Sequence, residues 1–237
     1  MTYPVAILAG GLATRLGQVT KTIPKVMVEV AGKPFIEHQI ELLKRNGVSH
    51  IVLCIGHLGE TVQRHCGSGE AWNIRIDYSF DGPILLGTAG ALKRARRLLG
   101  KVFFVMYGDS YLDVDFSTVQ AAFQSSGRIG LMTVHRNEGQ WDKSNVLYID
   151  GKIIRYDKKK PSHDMLHIDY GLGVLRAETL DHLPDGQRHD LAEIYEDLVV
   201  NAQLTGFEVH QRFYEIGSPV GLEETRRYLN SVKQEGQ

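Results

Sequence analysis

Short apolar runs closed by glycine set the rhythm of the first 110 residues. Val5-Ala6-Ile7-Leu8, His50 to Ile55 and Val102 to Met106 are apolar at nearly every position, the pattern of strands buried on both faces. Arg75 to Phe80 alternates more weakly and predicts another strand. Between these runs the period lengthens. Phe35, Ile36, Gln39, Ile40 and Leu43 share one face of a helix that Pro34 opens and Asn46-Gly47 closes. A polar helix is expected near 59–66. Ala91, Leu92, Ala95, Leu98 and Leu99 form the apolar face of a helix that begins at Gly87-Thr88-Ala89-Gly90 and ends at Gly100. Its opposite face, Lys93, Arg94, Arg96 and Arg97, reads as solvated. Strand and helix alternate, so the pattern predicts an α/β fold with a Rossmann-like, doubly wound, mostly parallel sheet.

The second half is less regular and predicts a smaller β-rich lobe. A helix near 115–125 precedes a strand at 129–134. Residues 136–144 are polar and read as a surface loop. Val146 to Ile149 and Lys152 to Tyr156 flank Asp150-Gly151, the signature of a hairpin. A strand over 168–175 is interrupted by Gly171 and Gly173. Asp190 and Glu193 have capping-box spacing ahead of Leu191, Ile194, Tyr195, Leu198 and Val199. Residues 207–210 and 212–215 are the last expected strands, and Ser218 caps a helix beginning at Pro219. No repeat or linker divides the chain. One domain over 1–237 is expected, with halves at 1–110 and 111–237.

Composition narrows the class. The 237 residues are 43% apolar and 23% charged, with 27 Lys plus Arg against 28 Asp plus Glu. This balance argues against nucleic acid or an anionic membrane as partner and leaves room for a locally basic site. Cys54 and Cys66 do not suggest a disulfide scaffold. No apolar run approaches the ~20 residues that span a bilayer, and no signal-peptide plan opens the chain, so a cytoplasmic location is the expectation.

Candidate chemistry begins directly after the first strand. Gly10-Gly11 let the backbone turn and present bare N–H donors, Arg15 offers a planar fork, and Lys25, behind Pro24, a point charge. Together they suggest a triphosphate cradle. It is neither a Walker A loop nor a G-x-G-x-x-G loop. The alternative is a tight strand-to-helix turn with solvated cations. Asp109 follows the Val102–Met106 run through Tyr107-Gly108 and is the best ligand for a hard divalent cation; otherwise it is a turn or cap aspartate. Ligands of such sheets bind beyond the carboxyl ends of the strands, so the glycine loop and Asp109 should open onto one crevice. No Cys/His cluster supports zinc, and no G-x-S-x-G elbow supports a serine nucleophile.

Gly10, Gly11, Thr14, Arg15, Leu16, Pro24, Lys25, Gly32, Lys33 and Pro34, taken together, resemble the sugar 1-phosphate nucleotidyltransferases, the NDP-sugar pyrophosphorylases. The resemblance runs to about residue 230. It implies transfer of a nucleotidyl group from an NTP to a sugar 1-phosphate, with Mg2+ and release of pyrophosphate. By this resemblance Leu8, Ala9, Gly10, Gly11, Thr14, Arg15, Lys25, Gly87 and Thr88 would bind nucleotide. Asp109 and Glu215 would hold the metal, although Glu215-Ile216-Gly217-Ser218-Pro219 carries Glu where the family has Asp. Lys158, with Lys159 in reserve, would hold the acceptor phosphate. Gly108, Asp169, Gly171 and Glu193 would line the sugar site, Asp169 replacing the usual Asn and Glu193 being equally explained by its capping position. Among relatives the chain looks most like the short heptose 1-phosphate (D-glycero-D-manno) or mannose 1-phosphate guanylyltransferases, which favours GTP. Uridylyl or cytidylyl transfer, a choline-phosphate type acceptor, a non-catalytic sugar-nucleotide sensor and a homo-oligomeric state stay open.

Overall fold

A computed structural model describes residues 2–11 and 22–235. Thr14, Arg15 and Leu16 of the glycine-loop motif lie outside the described residues. In chain order the elements are β1 (Val5–Leu8), β2 (Glu29–Val30), β3 (Lys33–Pro34), α1 (Phe35–Arg45), β4 (His50–Ile55), α2 (Gly59–Cys66), β5 (Arg75–Phe80), α3 (Gly87–Leu99), β6 (Val102–Tyr107) and β7 (Ser110–Tyr111). They continue with α4 (Phe116–Ser126), β8 (Gly130–Arg136), β9 (Val146–Ile149), β10 (Lys152–Tyr156), β11 (His167–Arg176), α5 (Leu191–Val200), β12 (Leu204–Glu208), β13 (Tyr214–Glu215) and α6 (Pro219–Glu235).

β1 pairs in parallel with β4 on one side and β6 on the other, and β4 pairs in parallel with β5. The chain therefore winds outward from β1 through β4 to β5, then crosses back to β6. That reversal makes the space beyond the carboxyl ends of β1 and β6 the place where a doubly wound sheet binds its ligand. Alternate strand positions feed opposite faces. Val5, Ile7 and Leu53 pack with Ile36, Ile40 and Phe116 from α1 and α4, while Ala6, Val52 and Phe103 pack with Leu92, Ala95 and Ile194 from α3 and α5. Both faces of the parallel strands are covered, which explains why their sequences read as unbroken apolar runs.

The sheet continues without a break into the second half. β11 joins β6 antiparallel and carries β8 beyond it, and β12 then pairs with β8 in parallel. The hairpin β9–β10 extends the sheet from β11, and its Asp150 and Gly151 both have positive φ, 48° and 78°, as the tight turn requires. Gly171 and Gly173 do not end β11. Instead its pairing with β8 shifts register between Asp169 and Gly173, with Gly171 at φ 98°. This bulge takes residues 170–172 out of the ladder with β8, directly after Asp169. Gly173 is needed for packing, because a Cβ there would collide with the Tyr195 hydroxyl.

A third cluster brings the C-terminal helix home. Leu229 of α6 and Ile216 pack with Val28, Val30, Phe35 and Tyr111. Tyr214 and Glu215 pair with Tyr111 and Ser110 in the short β7–β13 ladder. Ser218 caps α6 as expected, its hydroxyl accepting from Gly221 N at 2.9 Å. No helix among the described residues is long and apolar enough to cross a membrane. Both cysteines are free and buried, and burial pushes each thiol up to about 12.

The exposed N-cap of α4 isolates a local contribution to this fold. Asp115 accepts from Ser117 N at 2.8 Å, and these hydrogen bonds hold its carboxyl below the usual range. Its contribution is therefore present above the unfolded value and fades as pH falls through the folded one. Asp115→Ala is expected to lower unfolding free energy by about 1 kcal/mol at neutral pH. Urea unfolding checks this, and the difference should shrink in acid.

Candidate functional site

Two neighbouring cavities open at the carboxyl ends of the parallel strands. The first, about 410 Å3, is lined by Leu8, Ala9, Gly10 and Gly11 after β1, by Asp81 and Leu85 after β5, by Gly87, Thr88 and Ala91 of α3, and by Lys25 and Arg188. The second, about 490 Å3, lies toward the β-rich half and includes Lys158, Asp169, Gly171, Trp141, Arg212 and Glu215 in its wall. Tyr107 and Asp109, at the end of β6, line both. The two cavities are thus halves of one cleft, divided at Asp109.

Backbone proximity builds the first half. Ala9 N donates to Cys54 O at 2.8 Å and Gly108 N to Leu8 O at 2.9 Å, locking the loops after β1, β4 and β6 together. A Cβ on Gly108 would stand 2.9 Å from Leu8 O, so only glycine permits this approach. Lys25 begins a short 3-10 turn behind Pro24, and the neighbouring Val26 is anchored in the core. The turn aims Lys25 Nζ at Asp109 Oδ2, 2.6 Å away, with the two side chains 14% and 29% exposed.

Glu215 completes a charged cluster. A Cβ on Gly217 would lie 2.5 Å from Glu215 Oε2, 3.1 Å from Lys25 Nζ and 3.4 Å from Asp109 Oδ2, so three charged groups converge on one point. The β7–β13 ladder sets this geometry, with Ile216 N donating to Asp109 O at 2.9 Å. Glu215 curls onto its own segment. Its Oε1 accepts from the Ser218 hydroxyl at 2.6 Å and its Oε2 from Gly217 N. Each carboxylate oxygen has two lone pairs, so acceptor capacity remains.

The second half of the cleft is polar and aromatic. Lys158 sits over the Tyr107 ring, Nζ 5.9 Å from its centroid, whereas Lys159 is not among the lining residues. Asp169 accepts from Gly171 N at 3.0 Å, and the Tyr156 hydroxyl also hydrogen-bonds to it. Burial raises its carboxyl to about 6, opposed by Gly171 N–H, the Lys158 charge and Tyr156. Residues 136–144, expected to be a surface loop, are largely exposed, and Gln140, Trp141 and Asp142 within them line this half of the cleft. Buried Asn137 ties that loop down, donating to Asp142 O at 2.6 Å and Ser144 Oγ at 3.1 Å and accepting from Trp141 N at 3.3 Å. The Trp141 ring carries the Arg212 guanidinium, 4.8 Å from its centroid.

The structure brings Leu8, Ala9, Gly10, Gly11, Lys25, Gly87, Thr88, Gly108 and Asp109 to the first cavity, and Lys158, Asp169, Gly171 and Glu215 to the second. Arg15 and Thr14 lie outside the described residues. Glu193 reaches neither cavity; it is half exposed and approaches His189 Nδ1 at 3.7 Å. Asp190 caps α5, accepting from Ala192 N at 3.0 Å. Small residues at Gly87 and Gly90 have a structural cause as well. Cβ atoms there would sit 2.5 Å from His189 O and Gln187 O respectively. The Thr88 hydroxyl is likewise engaged, donating to Asp190 Oδ1 at 3.1 Å and accepting from Leu191 N at 2.7 Å. Sequence reasoning missed Asp81, Arg188, Tyr107, Trp141 and Arg212. Asp81 was findable, since like Asp109 it follows a parallel strand, and Tyr107 closes the β6 run; Trp141 and Arg188 lie in segments without periodic signal.

The sequence profile of the family described as "Nucleotidyl transferase" matches residues 5–144. A mannose-1-phosphate guanyltransferase of Gibberella zeae is 32% identical over 238 residues, covering 97% of this chain and 65% of the relative. A UTP–glucose-1-phosphate uridylyltransferase of Synechocystis sp. is 29% identical over 223 residues, covering 87% of this chain and 58% of the relative. The chain thus spans less than two thirds of the length of these curated relatives. Its fold matches the crystal structure of HddC from Yersinia pseudotuberculosis complexed with GMP-PN, with TM-score 0.74, 24% identity and coverage of 96% and 99%.

Asp169 supplies a pH signature. Its folded-state carboxyl, at about 6, lies above the ordinary value of 3.8, so the folded chain holds the extra proton between them. Stability from this group is therefore present in acid and lost as pH rises through that window, then constant above it. Relative to Asp169→Asn, the wild-type chain is expected to lose unfolding free energy between about pH 4 and pH 6. A flat difference in urea unfolding across that range would refute the assignment.

Proposed function

The chain belongs to the nucleotidyl transferase family, and we propose that it transfers a nucleotidyl group from an NTP, GTP favoured, to a sugar 1-phosphate, mannose or D-glycero-D-manno-heptose 1-phosphate favoured. The observation that carries this reading is Asp109, set in the shared wall of two cavities with Lys25 Nζ at 2.6 Å. One cavity suits a nucleoside triphosphate laid along the glycine loop, the other a phosphorylated acceptor, and the reacting phosphates would meet at their junction.

The reaction needs little covalent help from the protein. An acceptor phosphate oxygen attacks the α-phosphorus, the bond to the α,β-bridging oxygen breaks, and pyrophosphate leaves. A phosphate monoester with a second pKa of about 6 is already largely ionised at neutral pH, so no general base is required. What remains is charge control and alignment. Gly10 and Gly11 would present backbone donors, while Lys25 and Arg15 would balance the triphosphate and the departing pyrophosphate. Lys158 would hold the acceptor phosphate, and Asp169 would accept from sugar hydroxyls once ionised.

Asp109 and Glu215 fit a hard divalent ion. Two carboxylates converge beside a glycine whose missing side chain leaves room, and Mg2+ is commonly held by one or two carboxylates plus phosphate oxygens. When bound, Mg2+ would offset the phosphate charge and align the triphosphate. The longer Glu side chain is accommodated because its tip is held by Gly217 N and Ser218.

Asp81 supports guanine. It is 6% exposed, lines the nucleotide cavity, and presents acceptors only when ionised. Guanine offers two adjacent donors, N1–H and the N2 amino group, to such a carboxylate. Uracil and thymine set a single N–H between two carbonyl oxygens that would repel it.

Pyrophosphate release from GTP, UTP, CTP, dTTP and ATP with Mg2+, against a panel of sugar 1-phosphates, tests this reading. Turnover is expected with GTP, falling about 10²–10³-fold in Lys25→Ala. Asp109→Ala should be at least as impaired. Asp81→Asn should cut the preference for GTP over UTP by about 10-fold or more. Nucleotide binding without turnover across the panel would defeat the enzymatic proposal.

A further inference from the structure

The segment between Leu183 and α5 returns from the β-rich half to the mouth of the nucleotide cavity. There it docks on the first turn of α3. His189 N donates to Leu86 O at 3.0 Å, and His189 O accepts from Ala89 N at 3.0 Å and Gly90 N at 3.4 Å. Gln187 O and His189 O fill the space that side chains on Gly90 and Gly87 would take, and Asp190 is bound to the Thr88 hydroxyl. His189 and Asp190 are therefore hydrogen-bonded to residues 86–90, and the Gln187 carbonyl packs beside Gly90. Arg188, between them, has a fixed backbone and an exposed side chain.

Arg188 is one of two cationic residues among the described residues lining this cavity. The other, Lys25, is paired with Asp109. Arg188 has no hydrogen-bond or ion-pair partner among the described residues. Its position in the cavity is distinctive. Its Cγ lies 3.3 Å from where a Cβ on Gly87 would stand, so its stem runs along the end lined by Asp81, Leu85 and Gly87. Lys25 is grouped instead with Asp109 and Glu215, where the two cavities meet.

Resting on the nucleotidyl-transfer reading, we propose that Arg188 is a nucleotide-binding residue that lays its guanidinium on the face of the base. A guanidinium is planar and weakly hydrated, and it stacks on aromatic rings. From the rim it would close the base against the apolar wall of Leu85 and Ala91, leaving the phosphates to Lys25.

Calorimetric titration of the full chain with Mg2+ and GTP, GMP or inorganic tripolyphosphate tests the assignment in wild type, Arg188→Ala and Arg188→Lys. The alanine variant should weaken GTP and GMP alike, by about 5–10-fold, with tripolyphosphate changed less than about 2-fold. The lysine variant, which keeps charge but not the plane, should recover less than half of that loss. The melting temperature should not move, since the side chain is exposed. Unchanged nucleotide affinity, weakening confined to GTP and tripolyphosphate, or full recovery by lysine would each overturn the stacking role while leaving the proposed activity intact. Failure of the wild-type chain to bind any of the three would overturn the underlying reading itself.

Discussion

The contact between Lys25 Nζ and Asp109 Oδ2, 2.6 Å long, is the point on which the cleft depends. Asp109 and Glu215 approach one another at the end of the β7–β13 ladder, and two partly buried carboxylates so close repel unless a cation lies between or beside them. Lys25 supplies that cation. Removing it would leave negative charge uncompensated in a half-buried place, a larger effect than loss of a surface pair. The lysine is held there by modest means: a proline that sets the chain direction, one 3-10 turn, and Val26 fixed in the core.

That local charge balance can exist only because the backbone around it is so close. The loops after β1, β4 and β6 are hydrogen-bonded to one another, and Gly108 lets two of them touch. The parallel register of β1 with β4 and β6 delivers these loops to the same edge. The apolar faces of the strands, covered by helices on both sides, hold the register, since a one-residue slip would send every buried side chain to the other face. Core packing and cleft geometry are thus one constraint seen from two distances.

The second half is tied to the first in three ways: through the β6–β11 ladder, through α6 packed on β2 and α1, and through the strap at 187–190. Each connection ends at the cleft. The β11 bulge presents Asp169 and Gly171, the segment before α6 presents Glu215 and Ser218, and the strap presents Arg188. A cleft bounded by both halves suits a reaction that must bring two phosphorylated substrates together.

The amino-acid sequence by itself determined the alternation of strands and helices in the first half, the turn at Asp150-Gly151, the caps at Asp190 and Ser218, and the placement of the glycine loop and Asp109 at one crevice. All of these rest on short-range signals: apolar periodicity, turn chemistry, and the rule that loops after parallel strands share an edge. Only the tertiary structure decided the rest. That Lys158 and not Lys159 lines the cavity depends on how the chain leaves β10, and that Glu193 faces away depends on the rotation of α5. The glycines at 87 and 90 are required by carbonyls a hundred residues distant, and Gln140, Trp141 and Asp142 of the exposed loop reach the cleft with buried Asn137 tying that loop down. Such contacts are set by which distant segments meet, and neither composition nor periodicity along the chain carries that information.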